Sequence, residues 1–146
     1  MNLTIDASVF VAAARTEETH YLSSRRFLLR VRARDTSLFC PILVLPECAA
    51  AVARSTGDSA LGEELVALIE SVPGLHLVSL GSPMAHRAAQ IATHHRLRGA
   101  DSVYVAVAEA FNATLITWDV EMLERSADVV TTMTPSQWID EQEIVE

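Results

Sequence analysis

The chain has 146 residues, half of them hydrophobic and 21% charged, which provides apolar material for one core and excludes a disordered chain. Its net charge of −8 excludes a protein that coats nucleic acid non-specifically. All eleven basic residues are Arg, which excludes a P-loop and a Schiff-base lysine, and two cysteines without a Cys-x-x-Cys exclude a disulfide scaffold and a zinc finger.

In chain order, Leu3-Thr4-Ile5 is a short β-type run ending at Asp6, and residues 7–14 read as a helix. A second helix runs from about residue 19 to 33, and residues 37–40 form a strand closed by Pro41. Pro46 suits the first turn of a helix that carries Glu47 and reaches about Arg54. Residues 60–71 are amphipathic, with Leu61, Leu65, Leu68 and Ile69 at helical spacing. Pro73-Gly74 turns the chain into a strand at 75–78, and residues 83–95 form a helix broken at Arg98-Gly99. Residues 101–111 are apolar on nearly every side and predict a buried helix ended by Asn112. A strand at 114–117, a helical turn at 121–124, a last strand at 129–132 and a last helical turn at 135–139 complete the chain. This alternation predicts an α/β fold: a mostly parallel sheet of four to five strands between two helical layers, in a single domain over residues 1–146. With no signal-like start and no long apolar run, the expected location is cytoplasmic, with no membrane partner.

Candidate chemistry lies with the acids. Ligands of open α/β sheets bind beyond the carboxyl ends of the strands. Asp6 closes the first strand, Asp119 follows the strand at 114–117, and Glu47 and Asp101 stand in the first turns of two helices. Singly, each has a structural explanation: a cap, a turn or a partner of a helix dipole. As a set, they stand at junctions that one topology can bring together. Carboxylates in apolar surroundings need a counter-charge, and the chain has no Lys to supply one. All-oxygen donors point to Mg²⁺ or Mn²⁺ rather than zinc, as one or two ions.

Four segments carry a family resemblance: Ile5-Asp6-Ala7-Ser8, Leu45-Pro46-Glu47-Cys48, Gly99-Ala100-Asp101-Ser102-Val103-Tyr104-Val105-Ala106 and Leu115-Ile116-Thr117-Trp118-Asp119. In this order and spacing the chain resembles a PIN-domain nuclease of the VapC-type toxin subgroup. The resemblance implies a Mg²⁺- or Mn²⁺-dependent endoribonuclease that leaves 5′-phosphate and 3′-hydroxyl ends, the toxin of a toxin–antitoxin pair. Asp6, Glu47, Asp101 and Asp119 match the family's metal-binding and catalytic acids, and Ser8 and Thr117 its small hydroxyl residues beside them. Glu121 is a candidate accessory acid, or an exposed Glu at a helix start. An antitoxin protein and a homodimer are the implied partners, with Leu22, Phe27, Leu28 and Val31 as docking or core residues. The competing reading is a non-catalytic RNA- or protein-binding module with a PIN-like fold.

Five Arg residues fall between Arg25 and Arg34, and Arg26, Arg30 and Arg34 share one helical row. Arg25, Arg26 and Arg30 therefore read either as a rail for RNA phosphates or as a solvated face that balances nearby acids. Trp118, beside Asp119, reads either as a base-stacking or as a packing side chain. His94-His95, adjacent on a helix and about 100° apart, read as surface or core rather than metal ligands.

Overall fold

The computed structural model describes residues 1–146. The elements run β1 (Asn2–Ile5), α1 (Ala7–Ala14), α2 (Tyr21–Arg32), β2 (Ser37–Pro41), α3 (Val44–Thr56), α4 (Ser59–Glu70), β3 (Leu75–Val78), α5 (Ser82–His95), α6 (Gly99–Ala110), β4 (Thr114–Ile116), α7 (Val120–Arg125), β5 (Thr132–Met133) and α8 (Pro135–Val145). Five parallel strands make one sheet in the order β3-β2-β1-β4-β5, and helices cover it in a three-layer α/β/α arrangement.

Burial explains why the strands read as continuous apolar runs. Leu3, Thr4 and Ile5 of β1 and Leu115 and Ile116 of β4 are all buried, as interior parallel strands covered on both faces require. The edge strand β3 is only half-buried. Helix α6 lies against β1, β2 and β4, and its residues Ser102 to Ala108 are all buried. That accounts for its lack of a polar face. Helix α1 packs on α2 and α3, α3 on α4, and α2 on α8. The turn before β3 requires glycine: Gly74 has φ +77°, and a Cβ there would stand 2.9 Å from the Thr36 carbonyl oxygen.

Two expectations near the C-terminus need correction. The last strand is Thr132–Met133 rather than 129–132. Val129 and Val130 donate backbone hydrogen bonds to the Ser126 carbonyl, so the β-branched pair still belongs to the turn leaving α7. The last helical turn at 135–139 is the start of a helix reaching Val145. Thr134 and Gln137 form a reciprocal capping box with Pro135 just inside the helix, and Trp138, Ile139 and Gln142 make the buried stripe. A Gln in that stripe hides the period from an apolar pattern.

Candidate active site

The strand order places the site. From β1 the chain moves to β2 and β3 on one side, then crosses back to β4 and β5 on the other. The order therefore reverses between β1 and β4, and connections leaving their carboxyl ends diverge around a crevice. Ile5 pairs with Ile116 at those ends. The next residues out are Asp6 on one strand and Thr117, Trp118 and Asp119 on the other.

Hydrogen bonds tie these two ends together. The Thr117 hydroxyl donates to Asp6 Oδ2 at 3.0 Å, and the Ser8 amide donates to the same oxygen at 3.3 Å. Asp6 thereby caps α1. The Asp119 amide donates to Thr117 Oγ1 at 3.0 Å, and Asp119 Oδ1 caps α7 by accepting from the Met122 amide at 3.1 Å. Ser8 Oγ lies 3.4 Å from Thr117 Oγ1 and accepts from the Trp118 amide at 3.1 Å. The Thr117 hydroxyl thus joins the Asp6 carboxylate to the Asp119 backbone, and Ser8 bonds Asp6 through its amide and Trp118 through its hydroxyl. Glu47, in the first turn of α3, accepts from the Tyr104 hydroxyl at 2.7 Å. Asp101 lies in the first turn of α6, whose cap position is Arg98, so it is not the N-cap that its sequence position also allowed.

The four carboxylates interact electrostatically. Burial raises the Asp6 carboxyl above the usual range, hydrogen bonds from Ser8 and Thr117 work against that, and the Asp119 charge adds to it. Burial also raises Glu47, the Tyr104 hydrogen bond opposes the rise, and Asp6 reinforces it. Asp101 is pushed up to about 6, first by burial and then by Asp6 and Asp119, with a smaller push from Glu47 and an opposing pull from Arg98. Burial and the Asp6 charge hold the Cys40 thiol up at about 12. Burial, with Asp6 and Glu47, holds Cys48 protonated as well, so both cysteines act as small apolar core residues.

A cluster of this kind fits a divalent cation in donor type and in charge. Its donors are oxygens, its members repel one another, and Arg98 is the one cation that offsets Asp101. No three His, Cys, Asp or Glu side chains form a ready-made cage for an ion.

Other expected residues have partners of their own. Glu121, half-buried in the first turn of α7, pairs with Arg125 one turn along. Arg26 and Arg30 reach Glu143 at 2.6 and 3.4 Å, Arg30 reaches Glu146 at 3.5 Å, and Arg34 pairs with Glu146. That row balances the acids of α8. Arg25 lies over the Tyr21 ring and donates to the Ala13 carbonyl at 3.5 Å. Phe27 and Val31 are core residues, whereas Leu22 is exposed.

Sequence reasoning missed Tyr104 and His20. Tyr104 had a readable signal: it lies three residues after Asp101 on the same helical face, and a buried Tyr hydroxyl requires a partner. His20 had none, since its ring stacks flat on Trp118, almost 100 residues away in sequence.

The fold is shared with several solved structures. VapC20 of Mycobacterium tuberculosis, a Sarcin-Ricin loop cleaving toxin, superposes with TM-score 0.75 at 14% identity over 91% of this chain and 99% of that one. VapBC2 of Rickettsia felis, bound to a DNA fragment from its promoter, gives 0.71 at 16% identity over 92% and 98%. FitAcB of Neisseria gonorrhoeae gives 0.67 at 20% identity over 93% and 99%. No curated protein matches the chain in sequence. The family model for the PIN domain matches residues 3–128, nearly the whole chain, and the chain therefore belongs to the PIN domain family.

Proposed function

We propose that this protein is a divalent-metal-dependent endoribonuclease and the toxin of a toxin–antitoxin pair. Membership of the PIN domain family supports nuclease activity in general. The observation that carries the finer reading is the group of four mutually repelling carboxylates at the switch between β1 and β4.

In this reading Asp6, Glu47, Asp101 and Asp119 hold Mg²⁺ or Mn²⁺ and Ser8 and Thr117 orient them. The bound cation supplies charge neutralisation at the phosphate and lowers the pKa of water toward neutrality. Thr117 and Ser8 both bond Asp6 Oδ2, so Oδ1 carries neither of those bonds, and Tyr104 holds Glu47. Asp101, raised by burial and by the Asp6 and Asp119 charges, is an acid that a bound cation would relieve of repulsion. Water adds to phosphorus and gives up a proton to solvent, the bond to the 3′ oxygen breaks, and that oxygen takes a proton from solvent and leaves as a hydroxyl while the phosphate stays on the 5′ side.

An antitoxin partner is supported by the similar structures, one of which is a toxin–antitoxin complex from Klebsiella pneumoniae, and by the outer face of α2. There Leu22 and Leu29, 77% and 68% exposed, border a groove of about 500 Å³ with Tyr21 and three Arg residues. A homodimer belongs to the same proposal and is read by light scattering.

The test is cleavage of a labelled structured RNA with Mg²⁺ or Mn²⁺ against EDTA. Wild type should cut only with metal, and Asp101→Asn should lose about 100-fold or more. Binding of RNA without cleavage by metal-loaded wild type would favour a non-catalytic module.

A further inference from the structure

We propose that His20 and Trp118 form a stacking platform that holds an unpaired base of the RNA beside the acidic cluster. The proposal rests on the reading of RNA as substrate and adds to it a site for one base.

Trp118 is held at both ends. Its backbone amide donates to Ser8 Oγ, and its indole Nε1 donates to Ser24 Oγ at 2.7 Å. Between those bonds the ring is fixed in orientation one residue from Asp119. His20, just before α2, lies flat on the indole with ring centroids 3.8 Å apart and planes 6° apart. The imidazole itself is exposed. A flat ring stacked on one side leaves its other face for a second π-system, and every nucleobase has one.

The surroundings select a base over other ligands. A cleft of about 370 Å³, lined by Ser8, Val11, Glu18, His20, Glu47 and Trp118, joins the stack to the Glu47 carboxylate. A volume of that order suits a small flat group. Glu18, which is not among the proposed metal ligands, repels a phosphate placed at its end of the cleft but accepts a hydrogen bond from an exocyclic amino group. The neutral base therefore belongs in the cleft and the phosphate beside the acids, where a cation meets it. The other tryptophan shows what packing alone looks like: Trp138 is 1% exposed and packs edge-on against Phe27 in the core.

The experiment titrates wild type, His20→Ala and His20→Phe into dye-labelled hexaadenylate and a dye-labelled abasic hexaribose phosphate, read by fluorescence anisotropy. Ca²⁺ replaces Mg²⁺ so that the probes persist. His20→Ala is expected to bind hexaadenylate about ten-fold more weakly, and His20→Phe to restore most of that loss. The abasic probe should bind all three alike. Equal hexaadenylate binding by wild type and His20→Ala overturns the platform, as does an equal loss on the abasic probe. If wild type cleaves RNA with Mg²⁺ but shows no base dependence, the platform alone falls. If it neither binds nor cleaves RNA, the platform falls together with the ribonuclease reading.

Discussion

Asp101 stands half-exposed among three other carboxylates, with its carboxyl pushed up to about 6. Its folded-state pKa is above that of the unfolded chain, so the folded state binds the proton more tightly. Stability from this group is therefore highest at acid pH and falls as pH rises from about 4 through about 6. Asp101→Asn removes the charge and should stabilise the chain in EDTA at pH 8. Discounted for partial exposure, the gain is about 1 kcal/mol, or about 2–4 °C in Tm, and it should vanish by about pH 3.5. A thermal-melt series across pH checks this, and a gain equal at both ends would refute the electrostatic cause. Tyr104 donates to Glu47, and in the proposed reading it acts through that carboxylate. Tyr104→Phe should cost about 1 kcal/mol of stability and about ten-fold in Mg²⁺ affinity by calorimetric titration. Equal Mg²⁺ affinity would show that the hydroxyl has only a structural role. The acids could be found at this scale because capping and strand-end positions are set by immediate neighbours. Tyr104's partner could not, because Glu47 lies 57 residues away.

Helix α4 lies so close to α3 that a Cβ at Gly62 would stand 2.9 Å from the Ala49 carbonyl oxygen. Backbone cannot move aside as a side chain can. Gly62→Ala should therefore destabilise by about 1–3 kcal/mol, despite the gain of about 1 kcal/mol in helix propensity. Denaturant unfolding decides between these signs. The α2–α8 contact combines buried Phe27 and Trp138 with exposed ion pairs at Glu143 and Glu146. Glu143→Gln should cost under about 1 kcal/mol, and less as salt rises, because exposed pairs are screened. Most elements were legible from period and punctuation. The exceptions, β5 and the later turns of α8, lie where a β-branched pair sits in a turn and where Gln142 fills a buried stripe position.

Across the whole molecule, a cation held as proposed by the acids at the β1–β4 switch would link metal binding to folding. A cation that binds only the folded chain stabilises it by about 2.7 kcal/mol at 100 times its Kd. Mg²⁺ should therefore raise Tm in wild type, EDTA should reverse the rise, and Asp101→Asn should reduce it. No rise at any Mg²⁺ concentration would refute the metal site. The amino-acid sequence by itself determined the α/β alternation, most element boundaries and the placement of each acid at an element junction. These depend on periodicity, caps and turn residues, whose free energies act over a few neighbouring positions. Only the tertiary structure decided that β1 lies between β2 and β4, which brings Asp6 within hydrogen-bonding distance of Thr117. It also turned the arginine row toward α8, joined Tyr104 to Glu47 and laid His20 on Trp118. Those contacts depend on which surfaces bury together across tens to more than a hundred residues of chain, and no local pattern carries that information.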